Sequence, residues 1–305
     1  MHHNQVILVC GNDGLVTYFL IVPASTFASD YTPYLVDYAW SSVPSSASAV
    51  PPAWCSFNGV TCDEDAESLT YLSVTQIELH VLDLKGTLPN SVGSLTSLVH
   101  FGVGINKLGG TIPDSIGSMS SLTLLTLDRN SFTGTIPASI ISNCKSLKTI
   151  FLFRNELTGT VPNLIGSLTS MTHLDLGNNL LIGTIPESIG SVSSLTFLGF
   201  GYNAFTGTIP ASIISKCTSL AHLYFDGNTL TGTIPTTFSK LTNLFDLNLS
   251  NNYLTMGSAT SVPESTFSAM TLSHYLATYN NCLTFRNEIG THCKPTSSKL
   301  CNQIY

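Results

Sequence analysis

A single residue type, asparagine, recurs at an almost constant interval through the middle of this chain. Seven copies follow one another at steps of 24, 25, 24, 24, 25 and 24 residues. They are Asn106, Asn130, Asn155, Asn179, Asn203, Asn228 and Asn252, and an earlier copy of the surrounding pattern has Leu82 in the same position. A period of this length is typical of a solenoid, in which each repeat forms one coil and stacks on the next. The chain from 74 to 255 is therefore predicted to be one solenoid of about eight coils.

Each coil has the same order of residue types around its asparagine. Ahead of Asn130, the residues Leu125-Thr126-Leu127 alternate as a short strand with one buried face does. A single coil cannot bury these leucines alone, so stacking must make the apolar interior continuous. The asparagine amide is expected to bond backbone groups that the turn leaves unpaired. This pattern predicts an α/β-type solenoid, a right-handed superhelix whose strands form a parallel sheet on the concave side.

A longer repeat, three coils in length, is superimposed on the shorter one. Asn203 follows Asn130 at the same interval by which Cys217 follows Cys144. These two cysteines occupy equivalent positions three coils apart, which is about 15 Å at the spacing of stacked strands. A disulfide needs Cα atoms within about 7 Å, so the two cannot bridge each other. We expect both to be buried free thiols in a duplicated block of three coils.

Composition argues against several classes of function. Hydrophobic residues make up 43% of the 305 residues and charged residues only 10%, so a core is amply supplied. The net charge is −7 with 11 Lys and Arg residues, whereas nucleic-acid binding depends on a basic footprint. We therefore expect no nucleic-acid partner. Low charge with abundant uncharged polar residues is common in extracellular repeat proteins.

The first 24 residues are predicted to form a signal peptide. Leu15–Val22 is an apolar run of eight residues, and Val22-Pro23-Ala24 fits a small-residue cleavage site. The region ahead of this run has no Lys or Arg, so an extra strand or a misassigned start is the alternative. No apolar stretch reaches the ~18–20 residues of a membrane helix. We expect no membrane-spanning anchor.

The segment 25–73 ends in a cysteine-containing cap. Trp54-Cys55 is followed by Val60-Thr61-Cys62 shortly before the first coil. This arrangement, with coils that read Leu-x-x-Leu-x-Leu-x-x-Asn-x-Leu-x-Gly-x-Ile-Pro, resembles the plant-type leucine-rich-repeat family over about residues 53–255. That family includes receptor ectodomains, receptor-like proteins and polygalacturonase inhibitors. The resemblance implies a secreted or cell-wall recognition module that is not an enzyme and needs no cofactor.

The remaining cysteines are expected to close both ends of the solenoid. Cys55 is predicted to pair with Cys62, because a short disulfide loop would cap the exposed first coil. After the last asparagine the repeat dissolves, and residues 256–305 form a predicted C-terminal cap that carries Cys282, Cys293 and Cys301. Two of these three are expected to pair; our assignment is Cys282 with Cys293, and the pairing among the three stays open. Such disulfides indicate an oxidising, extracellular compartment.

The concave sheet is the first candidate surface for function. Between the buried leucines, coils four to seven place aromatic residues and two carboxylates on the outward face among glycines. The predicted contact residues are Phe151, Phe153, Asp175, Phe197, Tyr202, Tyr224 and Asp226. Exposed aromatic residues with a few polar partners suit a binding surface for a protein, a peptide or a cell-wall polysaccharide. The alternative is ordinary variation on a sheet, since single exposed apolar residues are normal.

Residue spacing argues against a metal site or a catalytic pair on this face. His100, His173 and His222 are two or three coils apart, about 10–14 Å at the spacing of strands. Zinc ligands lie ~2.0–2.1 Å from their ion, so these side chains cannot share one. Asp226 and Asp246 are separated by roughly 13 Å along the strand direction, beyond the ~5–9.5 Å of paired glycosidase carboxylates. We expect neither a metal nor catalysis here.

A row of threonines on the flank is the second candidate surface. One threonine follows the glycine of each coil, namely Thr87, Thr111, Thr135, Thr160, Thr184, Thr208 and Thr233. Four coils read Thr-Gly-Thr, which resembles the ice-binding faces of antifreeze solenoids. Threonine also simply suits a strand. The residues directly before the glycines form a second row, which Lys85, Gly109 and Ile182 interrupt. Ice binding is therefore the alternative function, and a structural role in an extracellular coat or fibre is the second alternative.

The tripeptide Asn248-Leu249-Ser250 is the only N-glycosylation sequon in the sequence. It falls on the concave face near the end of the solenoid, where a glycan would cover one end of the groove. The same tripeptide also follows from the repeat motif itself. Asn248 is thus a predicted glycosylation site.

Overall fold

The computed structural model describes residues 8–10, 16–21, 34–40, 59–62, 74–234, 238, 240–255 and 274–275. From 74 onward the chain runs through successive coils, each of which starts with a short strand and returns through a turn or a short helix. This is the solenoid that the spacing of the asparagines predicts.

The first strand of each coil contributes to one concave sheet of ten strands. In chain order these are Val60–Cys62, Val74–Glu78, His100–Gly102, Leu124–Thr126, Thr149–Phe151, His173–Asp175, Phe197–Gly199, His222–Tyr224, Asp246–Asn248 and His274–Tyr275. The first pair is antiparallel and all the others are parallel. Phe151, Asp175, Gly199 and Tyr224 lie side by side because the strands pair in register. The predicted parallel sheet is confirmed.

The hydrophobic core is continuous from one coil to the next. Leu125 and Leu127 of one coil are fully buried, and Leu174 and Leu176, two coils later, are each only 1% exposed. Asp175, between Leu174 and Leu176, lies on the opposite, concave face and is half-buried, which is the alternation that a half-buried strand requires. Neighbouring coils share the burial of this interior, so no coil is stable by itself.

The recurrent asparagines lie in one file inside the solenoid and bond the preceding coil. Asn179 Nδ2 donates to the carbonyl groups of Leu152 and Leu176, both at 3.0 Å. Its Oδ1 accepts the backbone N–H of Leu157 at 3.0 Å. The other six asparagines repeat this pattern in their own coils. The side chain thus satisfies backbone groups that the turn leaves without partners, as predicted.

A second set of strands forms the flank of the solenoid. Lys85–Thr87, Lys107–Thr111, Ser131–Gly134 and Glu156–Leu157 pair in parallel, and Ile182–Thr184 pairs separately with Ala204–Thr206. Three N-terminal strands, Leu8–Cys10, Val16–Ile21 and Tyr34–Trp40, extend the first group beyond its first member.

The glycine of each coil permits close contact between neighbouring coils on this flank. Gly110 has a φ of +71°, a conformation that glycine adopts readily and other residues do not. A Cβ atom at this position would lie 2.8 Å from the methyl group of Thr87 in the preceding coil. The same contact recurs in later coils, so the motif glycine of each coil packs against the motif threonine of the coil before it.

The return segment on the convex side changes with the length of the coil. The shorter coils whose return segments are fully described have 3₁₀ helices at Asn90–Ser94, Asp114–Ser118, Asn163–Ser167 and Glu187–Ser191. The two coils that are one residue longer contain the α-helices Ala138–Asn143 and Ala211–Lys216 instead. Cys144 and Cys217 follow these helices directly, and both are buried free thiols as predicted. The additional residue therefore accommodates an α-helical turn in place of a 3₁₀ turn.

The predicted caps and signal peptide fall largely on residues outside the described ranges. Cys55, Cys282, Cys293 and Cys301 lie there, so disulfide closure of the two ends stays a prediction. The same holds for the number of coils, for the cap boundaries and for the signal peptide over 1–24. None of the helices that the structure describes has the length and apolar character needed to cross a bilayer.

Candidate functional site

Four of the five predicted aromatic residues of the concave face, Phe151, Phe153, Phe197 and Tyr224, belong to one continuous series of rings. Phe151 contacts Phe153 edge-on with 6.1 Å between ring centroids, and it contacts His173 at 6.3 Å. His173 stacks on Phe197 at 6.2 Å with 15° between the ring planes. Phe197 in turn lies 5.5 Å from Tyr224. The series is continuous because parallel pairing places equivalent positions of successive coils about 4.8 Å apart.

The series extends past the residues predicted from sequence. His222 contacts Phe197 at 5.8 Å and Phe245 at 6.0 Å, and the Arg129 guanidinium lies 5.6 Å from the ring centroid of Phe153. Phe245 is 46% exposed and directly precedes a concave strand, at a position that holds valine, threonine, lysine or alanine in the other coils. That departure from the repeat is the signal that would have identified it. We call the whole series the aromatic ladder: Phe153, Phe151, His173, Phe197, His222, Tyr224 and Phe245.

Exposure differs among the predicted contact residues. Phe151, Phe153, Phe197 and Tyr224 are half-buried, and Tyr202 at the edge is 40% exposed. Asp175 is also half-buried, but Asp226 is only 4% exposed. The expectation that Asp226 is a surface carboxylate is therefore wrong, because this side chain folds back against the sheet instead of pointing into solvent. Its role in binding stays a prediction.

Asp175 and Asp226 lean over the same coil from opposite sides. Asp175 belongs to the preceding coil, and its Oδ1 lies 2.7 Å from the position that a Cβ atom would take at Gly199. Asp226 belongs to the following coil, and its Oδ1 lies 2.6 Å from the corresponding position at Gly201. Both glycines are buried in the floor of the concave face. We call the strip of the concave face at Gly199 and Gly201, which the two carboxylates cover, the glycine trough.

One ring of the aromatic ladder borders the glycine trough, and a second belongs to the residue next to it in the sheet. Phe197 lies two residues before Gly199 on the same strand, and its Cε1 is 3.0 Å from the position of a Cβ atom there. Tyr224 is the direct partner of Gly199 on the next strand. The trough thus brings Asp175, Phe197, Tyr224 and Asp226 together, four of the seven residues predicted from the sequence.

Burial raises the pKa of both carboxyl groups in the trough. For Asp175 it raises the pKa to about 6; the backbone N–H of Gly177 opposes this shift, and the negative charges of Asp128 and Asp226 add to it. Burial likewise raises the pKa of Asp226 to about 6, against hydrogen bonds from its own backbone N–H and from Tyr202. Within the described part of the chain, none of the ion pairs includes either carboxylate.

A polar cluster lies next to the trough, toward the C-terminal end of the ladder. His222 Nδ1 is 2.8 Å from Asp246 Oδ2, and the Tyr224 hydroxyl donates to the same oxygen at 3.1 Å. Burial and the adjacent Asp246 carboxylate raise the pKa of Tyr224, so its hydroxyl stays protonated and remains a donor. Burial also lowers the pKa of His173. The hydrogen bonds with Asp246 hold the rings of His222 and Tyr224 in fixed orientations.

A second polar group occupies the N-terminal end of the concave face. His80 Nε2 lies 2.6 Å from one carboxylate oxygen of Glu78, and His100 Nδ1 lies 3.9 Å from the other. Asp128 is 8% exposed, and burial raises its pKa. Across the described ranges, no three His, Cys, Asp or Glu side chains are placed to hold a metal ion.

The threonines on the flank form a continuous exposed row. All seven predicted residues are exposed, namely Thr87, Thr111, Thr135, Thr160, Thr184, Thr208 and Thr233. In contrast, hydroxyl groups of the second row bond the preceding coil. Thr158 donates to the carbonyl of Gly134 at 3.3 Å, and Thr206 donates to that of Gly183 at 3.2 Å. Because a hydroxyl has one hydrogen to donate, these groups can only accept further bonds from water.

The sequon asparagine lies on the concave face as expected. Asn248 is half-buried, and its Oδ1 accepts hydrogen bonds from the Ser250 hydroxyl at 2.8 Å and from the Ser250 N–H at 3.1 Å. Glycosylation of Asn248 stays a prediction.

Comparison with known proteins agrees with this architecture. A family model described as leucine rich repeat matches residues 120–181 and 193–254. A comparison with curated proteins gives no match.

Solved structures of plant receptor ectodomains share the fold. The ectodomain of the receptor kinase GASSHO1/SCHENGEN3 from Arabidopsis thaliana, in complex with CASPARIAN STRIP INTEGRITY FACTOR 2, is 32% identical with a TM-score of 0.69. The alignment covers 76% of this chain and 26% of that one. The Arabidopsis HAESA ectodomain, in complex with an IDA peptide hormone, is 31% identical with a TM-score of 0.66, over 75% and 37% of the two chains. This chain therefore spans well under half of either ectodomain.

A plant ice-binding protein also shares the fold, with a TM-score of 0.60 over 75% of this chain and 78% of that one. At 22% identity this likeness concerns the fold alone. The repeat match, the asparagine file and the likeness to receptor ectodomains lead to one assignment: the chain belongs to the plant-type leucine-rich-repeat family.

Proposed function

We propose that this protein is an extracellular, non-enzymatic recognition module that binds a protein or peptide through its concave face. The observation that carries the proposal is the aromatic ladder, a series of contacting rings that runs without interruption from Phe153 to Phe245. Contiguous exposed aromatic surface is characteristic of interaction sites on soluble proteins. Two structural relatives were solved as ectodomains with a peptide hormone or an integrity factor bound, which supports the same use of this fold.

The structure of the ladder suits binding energetics. Aromatic rings contribute large contact area at a low cost in side-chain entropy, and they dominate the hot spots of protein interfaces. Here the rings are already fixed by contacts with one another and by the hydrogen bonds around Asp246. Little ordering is therefore needed on binding, which favours affinity. A cell-wall polysaccharide is the alternative ligand for the same face.

Removal of two rings from the centre of the ladder tests this function. We expect the double variant Phe197→Ala with Tyr224→Ala to lose at least about tenfold in affinity for partners captured from the native extracellular medium. The melting temperature should stay nearly unchanged, because both rings are half-buried on the surface of the sheet. Tyr253→Ala is the matched control, since it removes a ring that is 58% exposed and is not part of the ladder. Undiminished capture by the double variant would exclude the concave face.

Ice binding is the second candidate, and the exposed threonine row favours it. Replacement of Thr135, Thr160 and Thr208 by bulky residues should abolish thermal hysteresis and inhibition of ice recrystallisation if the row binds ice. A wild-type protein without thermal hysteresis would remove this candidate directly.

A further inference from the structure

Two arginines lie side by side at one end of the aromatic ladder. Arg129 and Arg154 occupy equivalent positions of successive coils, each directly ahead of the recurrent asparagine, and both side chains are exposed. The backbone N–H of Arg129 donates to the carbonyl of Phe153 at 2.8 Å, and that of Asn130 donates to the carbonyl of Arg154 at 3.2 Å. The two coils therefore pair in register at this point, and the arginines extend from backbones about 4.8 Å apart.

No carboxylate of the described residues forms an ion pair with either guanidinium group. The cations of the ion pairs in this part of the chain are His80, His100, Lys107 and His222. Asp128 is next to Arg129 in sequence, but its side chain leans over the preceding coil, with Oδ1 2.7 Å from the position of a Cβ atom at Gly104. Burial raises the pKa of Asp128, and the nearby charge of Arg129 does not cancel that shift. Two neighbouring cations repel each other, so an anion that binds both is favoured here.

The first of these arginines is directed at the aromatic ladder. The Arg129 guanidinium carbon lies 5.6 Å from the ring centroid of Phe153, the first ring of the ladder, which in turn contacts Phe151 at 6.1 Å. In the other coils this position holds valine, isoleucine, asparagine, tyrosine or glycine, so the two cations coincide with the end of the ladder. A ligand that covers Phe153 displaces water beside the arginines, and lower water content strengthens a charge interaction.

The charge of the concave face changes along the ladder. Farther from the arginines, beside Phe197 and Tyr224, the face has the carboxylates Asp175, Asp226 and Asp246. An acidic group of a ligand is repelled by those carboxylates and attracted by the arginines. Such complementarity fixes the register of a ligand on its binding surface and excludes wrong alignments.

We propose that the ligand of the concave face is a peptide segment with an acidic side chain, whose carboxylate binds between the guanidinium groups of Arg129 and Arg154. This inference rests on the proposed function and specifies the chemistry and the register of the partner. Each guanidinium group donates to one carboxylate oxygen at about 2.8 Å. The apolar remainder of the segment lies along the aromatic ladder toward Phe245.

Selection from a peptide library tests this proposal. The full chain is immobilised and exposed to randomised decapeptides whose ends are acetylated and amidated, so that every charge belongs to a side chain. We expect aspartate and glutamate to be enriched among the retained peptides, together with aromatic or aliphatic residues. A retained peptide is then compared with its counterpart in which glutamine or asparagine replaces the acidic residue. The acidic peptide should bind about tenfold more tightly, the factor expected for a charge-assisted hydrogen bond.

A double variant tests the assignment to the two arginines. Arg129→Gln with Arg154→Gln should bind both peptides equally, because neither guanidinium group remains. The charge-matched control is Lys216→Gln with Lys240→Gln. It removes two exposed cations, one on a convex helix and the other at the equivalent position of the next coil, and it should keep the tenfold preference. Both variants should melt at the temperature of the unchanged protein, since all four side chains are exposed.

The outcomes separate this proposal from the proposed function. Retained peptides without acidic enrichment, or no retained peptides, would overturn the acidic assignment. So would a preference that survives in the arginine variant or that is lost equally in the lysine control. If the Phe197→Ala and Tyr224→Ala variant loses its native partner in any of these cases, recognition through the concave face stands without the acidic anchor.

A glycan is the competing source of carboxylates. Retention of the protein on a polygalacturonate matrix that depends on Arg129 and Arg154, with no acidic enrichment among the peptides, would assign the pair to a uronate polysaccharide. That result would also overturn the proposal.

Discussion

Asp175 Oδ1 accepts the backbone N–H of Gly177 at 2.9 Å, yet burial holds the pKa of this carboxyl at about 6. One N–H donor offsets only part of the loss of hydration, and the charges of Asp128 and Asp226 act in the opposite direction. The ionised form of Asp175 is therefore less stable in the folded protein than in the unfolded chain. This is a stability cost located at the proposed binding site, as is common for functional sites.

The pH dependence of stability follows from the sign of this shift. The folded-state pKa of about 6 lies above the ordinary value of 3.8, so the folded state binds more protons between these values. Stability conferred by this group is lost as the pH rises through that window, and the loss levels off about one pH unit above the folded-state pKa of about 6. We expect Asp175→Asn to raise the free energy of unfolding at pH 7.5 by about 1–3 kcal/mol, since each pKa unit corresponds to about 1.4 kcal/mol. Thermal melts at pH 7.5 and pH 4 measure the change.

The control for this prediction is a carboxylate whose pKa shifts the other way. The hydrogen bond with Lys107 lowers the pKa of the exposed Asp83, so Asp83→Asn should give no stabilisation at pH 7.5. The gain from Asp175→Asn should disappear at pH 4, where the native carboxyl is itself neutral. A gain that is the same at both pH values would show that charge is not its cause.

Two adjacent glycines on the flank should respond in opposite ways to alanine. At Gly110, with a φ of +71° and the Thr87 methyl group 2.8 Å from a Cβ atom, we expect alanine to destabilise by about 1–3 kcal/mol. At Gly109 a Cβ atom would meet only the carbonyl oxygen of Ser131 at 3.6 Å, so alanine should be neutral or stabilise by up to about 1 kcal/mol. Urea denaturation of both variants distinguishes these cases. Equal effects at the two positions would contradict the packing of Gly110 against the preceding coil.

The asparagine file should be the polar feature most sensitive to mutation. Asn179→Ala removes the acceptor for the buried N–H of Leu157 and the donor for two carbonyl groups. Unpaired buried groups cost about 1–3 kcal/mol each, so we expect the free energy of unfolding to fall by about 3 kcal/mol. Asn163→Ala is the control, because that side chain is exposed at the start of a convex helix. A similar small loss in both variants would mean that the file contributes little to stability.

The buried thiols should be inert in the native protein. Burial raises the pKa of Cys144 and of Cys217 to about 11, and neither thiol is exposed to solvent. Thiolate is the reactive form, so alkylation at pH 7.5 should be undetectable at both sites until denaturant is added. Peptide mass mapping after alkylation, with and without denaturant, measures this site by site. Rapid modification of either cysteine in the native state would contradict its place in the core.

Much of the architecture is determined by the sequence, because the relevant signals are periodic. The spacing of the asparagines predicts the coil, and the Leu-x-Leu alternation identifies the buried face of residues such as Leu125 and Leu127. Equivalent cysteines three coils apart predict two unpaired core thiols, and the structure shows Cys144 and Cys217 in that state. Each of these properties depends on the position of a residue within its own coil.

The tertiary structure alone decided how side chains of different coils meet. The sequence places Asp175 and Asp226 on the concave face, but it does not show that both lean over Gly199 and Gly201. It also leaves open that Asp226 is buried and that Phe245 continues the aromatic ladder. The physical reason is that a periodic pattern specifies which face a side chain occupies. Its direction across the sheet depends instead on which neighbouring coil offers space. Here Gly199 and Gly201 lie two residues apart on one coil, and the carboxylates of the two neighbouring coils lean over them because neither glycine has a side chain.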